Sequence, residues 1–150
     1  VGRDGRRSTR TRIRRLGLEG AVRFTGQVTT EELVRLYAES TVAVVPSLYE
    51  GFGLPAAEAM ACGVPLVSTN AGALPEVVGE SGVAGILVPP AHAESLSRQI
   101  VALLDAPERC RAMGLEGRKR VASLFTWRRA AELTVDVYRR AIAARKQQRC

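Results

Sequence analysis

At 150 residues, 46 % hydrophobic and 25 % charged, the chain has the size and balance of one ordinary soluble domain. No apolar run approaches the roughly eighteen residues of a membrane span, and no apolar core follows the Arg-rich opening, which argues against a spanning helix and against a signal peptide. The net charge of +7 sits at the two ends: residues 1–23 carry eight Arg against Asp4 and Glu19, residues 118–150 carry ten basic residues against Glu132 and Asp136, and the stretch between is acidic. Basic ends attract phosphates, nucleic acid or anionic lipid, although for the C-terminal stretch a solvated charged helix face is the preferred reading. Cys62, Cys110 and Cys150 form no metal-ligand pair, and one His cannot complete a zinc site, so no metal is expected. Cys62 reads as a small buried hydrophobe and Cys150 as a tail thiol, in keeping with a cytoplasmic protein without disulfides. The chain does not open with Met, which predicts a fragment or a processed product.

The first fifteen residues are Arg-rich and poorly patterned. Arg6 to Arg15 offers one apolar residue, Ile13, so its core face is poor and the segment is expected to be a weak helix or to lack fixed structure. Ala21 to Gly26 alternates and ends in Gly, which predicts a short strand. Thr29 with Glu32 reads as a capping box opening a helix that carries Leu33, Leu36 and Tyr37 and ends near Ser40. Thr41 to Pro46 is a continuous β-branched run of the kind that forms a buried parallel strand. Pro55 to Cys62 reads as a short helix with Pro in its first turn and Gly63 past its end. Pro65 to Thr69 and Gly85 to Val88 predict two further buried strands, with a short helix from Leu74 to Val78 between them. Three helices follow Pro90. The first carries Leu96, Ile100, Leu103 and Leu104. The second is marked by Cys110, Met113, Val121 and Leu124 and is expected to break at Gly114 and Gly117. The third, Trp127 to Arg145, carries an apolar stripe of Ala131, Val135, Tyr138 and Ile142. Strands alternating with helices predict an α/β fold, a Rossmann-like parallel sheet with flanking helices. The expected organisation is an Arg-rich segment over 1–15, a ligand-binding domain over 16–145 and a tail over 146–150.

The chemistry concentrates between Pro46 and Pro65. This stretch follows a buried strand and opens a helix, the position at which open parallel sheets bind ligands. Gly51 and Gly53 let a ligand approach the main chain, and the free N–H groups of the helix start favour a phosphate. Glu58 can accept hydrogen bonds from the two hydroxyls of a ribose, and Glu50 can hold hydroxyls of a group beyond the phosphates. The same features also suit a tight strand-to-helix turn with an ordinary acidic residue in its helix, and spacing by itself does not choose between these readings.

The segment resembles the signature of retaining glycosyltransferases of the GT-B fold, the glycosyl transferases group 1 class. Their motif, Glu, seven residues, Glu, is matched by Glu50 and Glu58 within Glu50-Gly51-Phe52-Gly53-Leu54-Pro55 and Glu58-Ala59-Met60-Ala61-Cys62-Gly63-Val64-Pro65. The likeness continues through Thr69 to Val78, through Gly85 to Pro90 and at Phe125-Thr126-Trp127. The resemblance implies the C-terminal, nucleotide-sugar-binding half of such an enzyme. Glu58 is then the donor-ribose carboxylate, and Glu50 faces the donor sugar as the catalytic-site carboxylate. Gly51, Phe52, Gly53 and Leu54 contact the sugar and pyrophosphate, and the loop Gly26, Gln27 and Val28 touches the base. Glu76 is ranked as structural. The implied partners are a nucleotide-diphosphate sugar as substrate and an N-terminal acceptor domain absent from this chain, with peripheral membrane contact open to the parent enzyme and no specific nucleic acid. No cofactor is implied.

Two departures bear on activity. The basic pair that neutralises the departing diphosphate in the class has no counterpart here, and Val1-Gly2-Arg3-Asp4-Gly5 resembles the Gly-Asp-Gly-Pro turn of the class with an extra residue and no Pro. The fragment alone is therefore expected to be inactive. Two alternatives draw on weaker signals. Gly51, Gly53 and Ala56 fit the G-x-G-x-x-A pattern of an NAD(P)-dependent Rossmann oxidoreductase, but the following strand ends in Thr69 and Asn70 where that class needs an acid. Arg3 to Arg15 suits an Arg-rich nucleic-acid-binding protein, but no aromatic is interleaved for stacking. No Asp-x-Asp occurs, so the metal-bridging motif of the other main glycosyltransferase fold is missing.

Overall fold

A computed structural model describes residues 7–147. The chain forms two compact units, Val1–Glu39 and Ser40–Cys150. The first contains α1 (Arg7–Arg15) and α2 (Thr30–Ala38). The second contains β1 (Ala43–Val45), α3 (Leu54–Ala61), β2 (Leu66–Thr69), α4 (Leu74–Val78), β3 (Ile86–Val88), α5 (Ala93–Leu104), α6 (Pro107–Leu124) and α7 (Trp127–Gln147).

In the first unit, α2 begins as its sequence dictates. Glu32 N donates to Thr29 Oγ1 at 3.2 Å, and Thr29 N donates to the Glu32 carboxylate at 2.9 Å, closing the capping box. One open reading is resolved and one expectation is corrected here. Arg7–Arg15 is a regular helix, with Arg10 lying 4.7 Å above the Phe24 ring. Arg has good helix propensity, and the cation–π contact anchors one flank without a full apolar face. The strand expected over Ala21 to Gly26 does not form. Alternation marks a strand only where a neighbour accepts its ladder hydrogen bonds, and among the described residues this unit contains no other strand.

In the second unit, the three strands are parallel in the order β1-β2-β3, with Val44 opposite Val67 and Ser68 opposite Leu87. The central strand is buried at all four residues, so helices cover both its faces. Val67 joins a cluster with Ile86, Val88, Leu103, Cys110 and Met113, into which Leu96 and Ile100 of α5 also pack. Leu66 points the opposite way from Val67 and lies beside Gly85. Met60, Leu66, Leu74, Leu103 and Met113 are fully buried, and each contributes about 2 kcal/mol of hydrophobic stabilisation. The ion pairs Glu94–Arg98 and Glu116–Lys119 lie on exposed helix surface and contribute at most about 0.5 kcal/mol each.

α6 runs unbroken through Gly114 and Gly117, contrary to the expected break. Both glycines are buried, and a Cβ on Gly114 would stand 2.0 Å from the Gly63 carbonyl oxygen at the end of α3. The missing side chains permit close packing of α6 on α3, which outweighs the low helix propensity of glycine. Arg120 of α6 reaches back to the end of α4, donating from Nε to Val77 O at 2.8 Å and from a terminal nitrogen to Glu76 O at 2.7 Å. Glu76 thus takes part through its backbone, in line with a structural role. Cys62 is half-buried just past the end of α3, not buried as expected. Ala131, Val135, Tyr138 and Ile142 of α7 are exposed.

Candidate functional site

The loops after β1 and β2 are stitched together by short polar contacts. Thr69, at the carboxyl end of β2, donates its hydroxyl to Ser47 O at 2.5 Å. Ser47 Oγ donates to Glu50 Oε1 at 2.8 Å, fixing one carboxylate oxygen of a half-buried side chain. Ala73 N donates to Glu50 O at 3.0 Å, and Gly72, at φ 58°, lies so close that a Cβ there would be 2.2 Å from the same oxygen. Only glycine fits that position on both counts. Glu50 is therefore held at its backbone by the second loop and at its carboxylate by Ser47. Ser47, Thr69 and Gly72 escaped the sequence reading, since only the approach of loops more than twenty residues apart gives them a task.

Gly53 caps α3 with φ 90°. This left-handed residue turns the chain from loop to helix, and its carbonyl accepts from Ala56 N and Ala57 N at 3.0 and 3.1 Å. A Cβ on Gly53 would meet the Leu74 side chain at 2.8 Å. No side chain caps the first turn, and the N–H groups of Gly51, Phe52, Gly53 and Leu54 carry no hydrogen bond among the described residues. Unoccupied donors at a helix start, with the dipole behind them, suit an anion. Phe52 is half-exposed and stands edge-on to Phe125 with centroids 5.8 Å apart, which fixes the loop at the end of α6.

Glu58 lies one turn past Leu54 on the exposed face of α3. Burial raises the Cys62 thiol above its usual pKa, the negative charge of Glu58 raises it further, and Arg118 opposes them. A thiol held protonated in this way is a weak nucleophile. In the first unit, Gly26 takes φ 66°, Gln27 is exposed and Val28 is half-buried just before the Thr29 cap.

A separate hollow of about 200 Å³ opens at the carboxyl ends of the strands, lined by Pro46, Leu48, Thr69, Pro89, His92 and Leu96 among others. Its lining does not include Glu50, Gly53 or Glu58. His92 caps α5 by accepting from Ser95 N at Nδ1 over 3.1 Å. Ala91, beside it, has φ 56°, a left-handed conformation that costs a residue with a Cβ about 1–2 kcal/mol. Ala91→Gly is expected to stabilise the protein by about 0.5–1 kcal/mol after the entropic cost of glycine. A thermal melt unchanged or lowered by the substitution would count against strain at this residue.

A parallel α/β sheet with a glycine-bearing turn into a helix, unoccupied helix-start donors and two carboxylates eight positions apart fits a domain of the glycosyltransferase class. The family model "Glycosyl transferases group 1" matches residues 1–120, and the chain belongs to this family. It is 47 % identical over 131 residues to the MMP alpha-(1->4)-mannosyltransferase of Mycolicibacterium hassiacum, covering 87 % of this chain and 32 % of that protein. Among solved structures it resembles a sucrose-phosphate synthase from Thermosynechococcus elongatus, with TM-score 0.85, 38 % identity and coverage of 95 % of this chain and 37 % of that one. It also resembles Anabaena HepE in complex with UDP-glucose, with TM-score 0.72, 29 % identity and coverage of 77 % and 31 %. The chain thus spans about a third of the length of these proteins. The fold is the Rossmann-like α/β half of a GT-B glycosyltransferase. Membership of this family displaces the oxidoreductase and nucleic-acid-binding alternatives. Among the described residues, no helix is long and apolar enough to cross a membrane.

Proposed function

We propose that this chain is the donor-binding half of a cytoplasmic retaining glycosyltransferase that moves a hexosyl group from a nucleotide-diphosphate sugar to an acceptor hydroxyl. The observation that carries the reading is the turn from Glu50 to Glu58, where a clamped carboxylate, four unengaged N–H groups and an exposed carboxylate follow one another around the start of α3. In this reading the N–H groups of Gly51, Phe52, Gly53 and Leu54 receive the diphosphate. Glu58 accepts the ribose hydroxyls, and Glu50 meets the donor sugar through its second carboxylate oxygen. Charge developing on the departing diphosphate is stabilised by fixed N–H dipoles that need no reorganisation. The acceptor site and the basic pair belong to the rest of a longer enzyme. The HepE complex with UDP-glucose supports a nucleotide-sugar ligand, and the mannosyltransferase relative makes a mannosyl donor the first to test.

Calorimetric titration with UDP, GDP, ADP and dTDP tests this. One diphosphate is expected to bind in the micromolar range, a free energy of about −7 to −8 kcal/mol, and at least tenfold more tightly than the others. Its sugar conjugate should bind comparably, and the isolated chain should transfer no sugar. Absence of binding by every diphosphate at millimolar concentration would refute the donor role.

A further inference from the structure

α4 has only five residues, Leu74–Val78, too few to hold a helix by its own hydrogen bonds. Its place is therefore set by what touches it. Leu74, Val77 and Val78 are buried and press it onto the core. Apolar contacts are non-directional, so they hold the helix down without fixing how far it slides along its own axis. The directional contacts lie at its two ends.

The first end meets the candidate site. Ala73, the N-cap, donates its N–H to Glu50 O at 3.0 Å, and Gly72 packs on the same Glu50 backbone. Leu74 lies against Gly53, the residue that opens α3. At the other end, the last carbonyls of a helix have no partner within it. Arg120 supplies that partner, donating from Nε to Val77 O at 2.8 Å and from Nη2 to Glu76 O at 2.7 Å. Its guanidinium lies against the backbone of Gly79, where a Cβ would stand 2.7 Å from Cζ. A planar fork with two bonds fixes both position and direction. Arg120 belongs to α6, and α6 also packs on α3 through Gly114 and Gly117, against Gly63 and Met60. The two helices that flank Glu50, α3 after it and α4 across from it, are thus fastened to the same frame.

We propose that Arg120 is a positioning residue for Glu50. By holding the carboxyl end of α4 it sets the height of Ala73, and Ala73 sets the Glu50 backbone from which the carboxylate reaches the donor sugar. The role toward the sugar rests on the donor-binding reading above, whereas the mechanical link from Arg120 to Ala73 does not.

Two measurements on the full 150-residue chain separate the link from its consequence. The first is amide hydrogen exchange of the Ala73 N–H by NMR, without ligand. Arg120→Ala should speed this exchange at least about fivefold and leave the amides of β2 within about twofold of the parent. Arg120→Lys keeps the charge but loses the fork, and should fall between the two. Lys119→Ala removes the neighbouring cation, which pairs with Glu116, and should match the parent.

The second is calorimetric titration with UDP, GDP, ADP and dTDP, and with the glucose or mannose conjugate of whichever binds most tightly. Arg120→Ala should weaken the conjugate about tenfold and the diphosphate by no more than about twofold, since Glu50 is assigned to the sugar. In a Glu50→Ala background the same substitution should change conjugate binding by less than about twofold, because the group through which Arg120 acts is gone. A merely structural role would weaken both ligands alike and add to the loss from Glu50→Ala. Unchanged Ala73 exchange in Arg120→Ala overturns the proposal, as does faster exchange throughout β2. Equal loss of the two ligands, or additive losses with Glu50→Ala, also overturns it. If no diphosphate binds the parent chain, the donor reading fails and takes the positioning role with it, while the Ala73 exchange still reports whether the link exists.

Discussion

Gly114→Ala is expected to lower stability by about 2 kcal/mol. The new Cβ would meet the Gly63 oxygen at 2.0 Å and its carbonyl carbon at 3.0 Å. Neither atom belongs to a side chain that could rotate away. Gly63 itself holds φ 74°, and Val64 N donates to Ala59 O at 3.0 Å, so the end of α3 is pinned by its own turn. Relief would come from moving α6 off α3, which would open the packing of Gly117 against Met60 and the Ala84 carbonyl. Overpacking of this kind costs up to about 3 kcal/mol, and the better helix propensity of alanine returns about 1 kcal/mol. For a chain of this size the melting temperature should fall by roughly 4–8 °C. Gly51→Ala supplies the control, since a Cβ there meets nothing within 4 Å. A Gly114→Ala melt indistinguishable from that of Gly51→Ala would mean that the close approach of α3 and α6 is not present in solution.

Glu58→Ala is expected to weaken nucleoside diphosphate binding by about 10–100-fold while leaving the melting temperature unchanged. Hydrogen bonds to a charged group contribute about 1.5–3 kcal/mol, which converts to that range of affinity. Stability should be spared because Glu58 is exposed and its side chain forms no hydrogen bond or ion pair among the described residues. The ribose role has a sharper signature than loss of affinity. A 2′,3′-dideoxynucleoside diphosphate should bind the parent weakly and be nearly indifferent to Glu58→Ala, because the group that Glu58 would hold is already missing. If the substitution weakened the dideoxy ligand as much as the natural one, Glu58 would be acting through general charge or loop structure, and its assignment to the ribose would fail.

Much of the fold was legible because local and tertiary demands coincide. The short runs at 42–45, 66–68 and 86–88 are strands since a strand packed in a parallel sheet favours continuous apolar residues, although only the central β2 is buried at every position and β1, at the sheet edge, leaves Val44 exposed where a buried strand was expected. The Thr29–Glu32 box and Pro55 ahead of Gly63 set helix ends by local hydrogen bonding and ring geometry alone. The spacing of Glu50 and Glu58 around two glycines was likewise readable, because one turn of chain carries the whole candidate constellation. The tertiary structure decided whatever depends on a partner distant in sequence. Ala21 to Gly26 alternates like a strand but has no strand neighbour among the described residues of its unit, and it stays irregular. Gly114 and Gly117 read locally as helix breakers, yet they keep α6 continuous, since the absence of a side chain is what lets two helices touch. The sequence nominated Glu50, but its orientation rests on Ser47, Thr69 and Gly72. Those contacts exist only because parallel strands deliver their following loops to the same end of the sheet, and no local pattern records which loops will meet there.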